Sequence, residues 1–202
     1  MSSALSLYLL DVAATRALVG SRDEQLLEVI RTNFAEDLER DDDSFSFEIE
    51  RGAPSAYEAL TAVVNGGPFS DKEDHAFQYG YAYRRLCDLT GSFLPNDCFT
   101  PHRGDWLSVV DEGLEALRIT AVSVEEFSFS DFPEPLPWTH MPGCGTWTPQ
   151  QIAKALEQFE ATKAAGHAPP LEPDVVDAVM QCLDWMRYAE AREGFGVIGF
   201  RS

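Results

Sequence analysis

Four times in this chain a serine or threonine stands three residues ahead of a glutamate or glutamine, heading a run with helical apolar spacing. The sets are Ser21–Glu24, Ser55–Glu58, Ser70–Glu73 and Thr148–Gln151. In such a box the hydroxyl accepts from the amide three residues on, and the longer side chain accepts from the cap's own amide, so two orphan donors are satisfied locally. Pro149, after Thr148, stands where a missing N–H costs nothing. The pattern predicts helices starting near 21, 55, 70 and 148. Behind the first, Leu26, Leu27, Ile30, Phe34 and Leu38 share one face. The second stops at Gly66-Gly67, and the third runs to about Leu89, ahead of Gly91. Apolar periodicity adds helices from about Gly104 to Leu117 and from about Pro173 towards Gly194. The β-prone runs sit mostly at the ends, Leu5–Leu10 and Gly196–Phe200, with Phe45–Ile49 and Ile119–Phe129 as further alternating segments. The expected fold is α+β, with about six helices packed on one face of a small sheet that includes both the N- and C-terminal strands. Residues 131–148 hold four prolines and two tryptophans and read as an ordered loop within a single domain spanning 1–202.

Charge narrows the partners. The chain carries 34 acidic against 15 basic side chains, a formal net of −19. Nucleic-acid binding depends on Lys and Arg neutralising phosphates, so a nucleic-acid partner is not expected. An anionic membrane surface repels such a chain for the same reason. Residues 1–74 hold 16 Asp/Glu and 6 Lys/Arg, densest between Glu36 and Glu50. Asp41, Asp42, Asp43, Glu48 and Glu50 are the candidate protein-binding residues, either as a face for a basic protein or as a solvated, solubilising surface. They lack the spacing of a calcium loop. The opening residues lack a basic leader region, and no apolar run reaches the roughly 18–20 residues of a membrane span, so a cytoplasmic protein is expected. Four scattered cysteines point to reduced thiols rather than a disulfide framework.

Catalytic chemistry has its best candidates on the third helix. His75, Tyr79, Ala82 and Leu86 share a face, and a histidine near carboxylates and tyrosines can serve as general acid or base. Packing at a core boundary is the competing reading for His75, Tyr79 and Tyr81. Gly80, costly in mid-helix by roughly 1 kcal/mol, implies a close neighbour or a pocket floor. Cys98-x-x-x-His102 and His140-x-x-x-Cys144 make a mirrored Cys/His set that zinc would accept. Neither half has the spacing usual for such a site, so no metal is expected and the four side chains are read as separately placed. Gly143-Cys144-Gly145 reads as a flexible, exposed thiol. No nucleophile elbow or phosphate-cradling glycine loop is present, and no cofactor can be named.

Several short motifs together resemble an uncharacterised bacterial domain-of-unknown-function family. They are Tyr79-Gly80-Tyr81-Ala82, the loop from Leu136-Pro137 to Met141-Pro142-Gly143-Cys144-Gly145, Asp184-Trp185, and the closing Val197-Ile198-Gly199-Phe200. The opening Leu5-Ser6-Leu7-Tyr8-Leu9 and the Gly20-Ser21-Arg22-Asp23 step fit the same family. The resemblance implies a bacterial cytoplasmic protein and brings no activity with it. The order of terminal strand, helices and closing strand is also similar to the YfbM-like family, in architecture only.

Three functions stay open. The first is a non-enzymatic binding module of the immunity or antitoxin kind, whose acidic face occludes a basic partner docking on the N-terminal third. The second is an enzyme with a pocket between the 71–89 helix and the 133–147 loop, where His75, Tyr79 and Tyr81 supply acid–base groups and Trp138, His140 and Trp147 line the walls. The third is a structural or oligomeric subunit.

Overall fold

A computed structural model describes residues 2–202. Its strands are β1 (Ser2–Ser3), β2 (Leu5–Asp11), β3 (Ser92–Phe93), β4 (His102–Arg103), β5 (Gly143–Trp147) and β6 (Phe195–Arg201). Its helices are α1 (Val12–Arg16), α2 (Glu24–Asn33), α3 (Ala35–Ser44), α4 (Ser46–Glu50), α5 (Ala56–Asn65), α6 (Ala76–Thr90), α7 (Trp106–Ala116), α8 (Pro149–Ala164) and α9 (Pro173–Glu190). Short 3-10 turns cover Glu73–His75 and Glu125–Ser128. Among the described residues no helix is long and apolar enough to cross a membrane.

The two ends of the chain meet in the sheet. β2 and β6 pair antiparallel from Leu5 opposite Arg201 to Asp11 opposite Phe195, and the strand order is β3-β2-β6-β5. This is the expected α+β sheet with both terminal strands, but helices cover both of its faces. Leu5, Leu7, Leu9 and Val197 pack with the apolar sides of α7, α8 and α9. Tyr8, Leu10, Ile198 and Phe200 point the other way, against α2, α5 and α6. The cause lies in β2 itself: it is apolar at both parities, and a strand of that kind has two faces to bury.

Two of the four capping boxes form as expected. Ser55 accepts from the Glu58 amide (3.3 Å) and Thr148 from the Gln151 amide (3.3 Å), each with the reciprocal bond in place. At the first box Arg22 adopts a φ of 57°, which delays the helix, and Asp23 accepts from the Leu26 amide instead (2.9 Å). The Ser70 hydroxyl is bonded to His75 Nδ1 (3.0 Å), and a 3-10 turn precedes α6. The helix expected behind Ser21 breaks at Phe34 into α2 and α3. α5 ends where expected, with Gly66 left-handed at a φ of 73°, a conformation that costs glycine little.

Three β-structure expectations fail in instructive ways. Phe45–Ile49 is not a strand: it enters α4, and Phe45 packs on Phe77 and Tyr81 with ring centroids 5.0 and 4.9 Å apart. Ile119–Phe129 forms no strand either. The Asp111 carboxylate accepts from the Ser123 hydroxyl (2.6 Å) and from the Val124 and Glu125 amides (2.6 and 3.1 Å). One side chain thus satisfies donors that a neighbouring strand would otherwise have to meet. Conversely, Gly143–Trp147, expected within the proline-rich loop, is strand β5 on the edge of β6.

Candidate functional site

A large cleft of mixed chemistry lies where the start of α6 meets the loop before β5. It measures about 710 Å³ and is lined by residues 70–74, Ala76, Phe77 and 137–141. Two local features hold its walls. Gly80 has no side chain, and a Cβ there would lie 2.9 Å from Pro142 Cδ and 3.2 Å from both Phe132 and Thr139, so the loop rests directly on α6. Thr139 is buried, donates its hydroxyl to the Met141 carbonyl (2.8 Å) and accepts from the Met141 amide (3.3 Å). The close approach inferred from a mid-helix Gly80 is thus made by the proline-rich loop. On the resulting turn Trp138 stands 61% exposed, with its ring edge-to-face against His140 at 4.1 Å. Asp71, Glu73 and Asp74 line the same cleft and are exposed, as is Lys72. Such a cleft offers aromatic walls and acceptor-rich edges, which suit a cationic donor group.

The structure brings some of the expected site residues together and separates others. Trp138 and His140 line the cleft. His75 does not: its side chain is 7% exposed, with Nδ1 on the Ser70 hydroxyl and Nε2 4.0 Å from Asp74 Oδ1. Tyr79 is buried beneath the same segment, where its hydroxyl accepts from the Ser70 amide (2.7 Å) and its ring meets Phe69 edge-on at 4.9 Å. Both residues brace the wall from behind. Tyr81 lines a separate, smaller pocket with Tyr8, Asp41, Arg84 and Arg85, and burial pushes its phenol up. Trp147 is not a pocket wall: it is fully buried in the sheet's core, donating its indole N–H to the Ser123 carbonyl (2.9 Å) and packing on Phe127 at 4.8 Å.

The mirrored Cys/His set does not converge. Cys98 and His102 line a pocket of about 400 Å³ with Trp106, Asp174 and Asp177. His140 is on the exposed cleft loop, and Cys144 is fully buried in β5. Burial pushes the Cys144 thiol well up, so the flexible, exposed thiol expected there is a sealed one. Among the described residues no group of three His, Cys, Asp or Glu is placed to hold a metal. The acidic stretch is likewise divided. Asp41 pairs with Arg85 (2.7 Å), and Asp42 accepts from the Ala56 amide (2.6 Å) at the start of α5. Asp43, Glu48 and Glu50 are exposed. Asp71, Glu73, Asp74, Phe77 and Met141 were not expected at the site. The acids resemble ordinary helix-start residues, and only the folded loop brings Trp138 into one cleft with them.

A family model described as a domain of unknown function, DUF7691, matches residues 1–202. No curated protein and no solved structure matches the chain.

Proposed function

We propose a binding role for this chain, which belongs to the domain-of-unknown-function family DUF7691. It acts as a non-enzymatic module of the immunity or antitoxin kind that docks on a basic protein. The observation that carries this reading is the state of its carboxylates. Of 34 acidic side chains, eight lie within 4.0 Å of a cationic side chain or histidine among the described residues. Of the rest, Asp23, Asp42, Glu58 and Asp111 accept from local amides, and exposed acids such as Asp43, Glu48, Glu50, Asp71 and Glu73 act outward. A surface field of one sign accelerates encounter with an oppositely charged partner and weakens as salt screens it. The competing enzymatic reading draws little support from the cleft, because His75 and Tyr79 lie behind its wall.

Calorimetric titration with an oligo-arginine peptide, against an oligo-glutamate peptide of equal length, tests the reading. A saturable one-to-one complex with the cationic peptide alone is expected, weakening several-fold between about 0.01 and 0.15 M salt, as the screening length falls from about 30 to 8 Å. A chain that binds neither peptide, or binds with no salt dependence, refutes it.

A further inference from the structure

The surface acid explains attraction over distance but not where a partner is held. The cleft between residues 70–77 and 137–141 has the features of an anchor. The start of α6 and the turn that carries Trp138 both line it, and Phe77 and Met141 complete the apolar lining. Trp138 and Met141 are 61% and 47% exposed, so two large apolar side chains of one cleft reach water. Exposed apolar groups clustered in a concave, polar-rimmed setting mark interaction sites, whereas single ones do not. The turn bearing them is already pinned by Thr139 and by Pro142 against Gly80, so little ordering remains to be done on binding.

The rim decides the occupant. Asp71, Glu73 and Asp74 outnumber Lys72, and they line the same cleft as the Trp138 indole. A planar guanidinium meets both demands at once: it stacks on an aromatic face and donates in-plane to carboxylates. Resting on the reading of this chain as a module for a basic partner, we infer that the cleft receives an arginine side chain of that partner. Trp138 stacks on the guanidinium, and the 71–74 carboxylates accept its N–H groups. The Asp43, Glu48 and Glu50 surface contributes only to long-range attraction.

Two variants with equal charge changes separate anchoring from attraction. Asp71→Asn/Glu73→Gln/Asp74→Asn neutralises the rim, and Asp43→Asn/Glu48→Gln/Glu50→Gln neutralises the same number of exposed acids elsewhere. Titrated with oligo-arginine at about 0.15 M salt, the rim variant is expected to lose more than about tenfold in affinity and the distal variant no more than about threefold. Trp138→Ala, a change at an exposed side chain, is expected to lose about 2- to 30-fold with an unchanged unfolding midpoint. Equal losses in the two triple variants, or a Trp138→Ala protein that binds like the parent, overturn the anchor and leave the binding module standing. A parent protein that does not bind the peptide removes the module and the anchor with it.

Discussion

Gly80→Ala is the most exposed test of how the cleft is built. In an unobstructed helix interior this change stabilises by roughly 1 kcal/mol, since alanine gives up less backbone freedom on folding. Gly80 is not unobstructed. The added methyl would lie 2.9 Å from Pro142 Cδ, 3.2 Å from Phe132 Cζ and 3.2 Å from Thr139 Cγ2. All three neighbours belong to the segment that carries Trp138, and Pro142 and Thr139 are buried. Overpacking of this kind costs about 1–3 kcal/mol. Set against the propensity gain, the net is a destabilisation of about 1 kcal/mol, or roughly 2–4 °C in Tm for a chain of this size. The displacement also lifts the loop, so Trp138 loses its fixed place in the acidic-rimmed cleft. Chemical denaturation should show a lower midpoint at unchanged slope, and oligo-arginine should bind more weakly. A Gly80→Ala protein that is more stable by about 1 kcal/mol, with cleft binding intact, would refute the packing reasoning.

Two further outcomes follow from burial. Burial pushes all four thiols up, at Cys98 with help from Asp177, Asp97 and Asp174, but Cys87, Cys144 and Cys182 are buried whereas Cys98 is partly exposed. A thiol reagent should therefore modify one cysteine in the native protein and none in Cys98→Ser, with the other three reacting only on unfolding; rapid native labelling of two or more would contradict the packing. Glu126 is partly buried, and burial, then the carboxylates of Asp111 and Asp131, push its carboxyl above the usual range. A raised carboxyl pKa penalises the ionised folded form, fully above the folded pKa and not at all below the unfolded one. Glu126→Gln should accordingly raise the unfolding midpoint near neutral pH, with the gain shrinking as pH falls through the carboxylate range; an unchanged or lower midpoint at neutral pH would contradict it.

The parts of the fold that were legible in the residues are those whose causes are local or doubly encoded. The Ser55 and Thr148 boxes close within four residues, so their helices begin where the hydroxyls stand. β2 and β6 are apolar at both parities and glycine- or polar-bounded, and they pair across the whole chain. Phe45–Ile49 alternates cleanly, with one apolar parity only, yet it lies in no strand, and Phe45 instead finds Phe77 and Tyr81. The same limit explains β5, which two glycines disguise as loop until β6 supplies its ladder.

The site divides along the same line. In sequence Trp138, His140 and Trp147 read alike as wall residues of the proline-rich loop, and only the first two line the cleft; Gly80 was legible because a helix tolerates glycine poorly without a close neighbour. The sealing of His75 by Ser70, the burial of Trp147 and the meeting of Trp138 with Asp71, Glu73 and Asp74 in one cleft were not legible. The sequence by itself determined the α+β class, the helix starts at Ser55, Thr148 and Pro173, the terminal strand pair and the size of the acid excess. Only the tertiary structure decided which polar groups reach solvent and which brace a wall. Capping and periodicity act over a few bonds, whereas a cleft is made by segments some sixty residues apart whose meeting depends on the packing of everything between them.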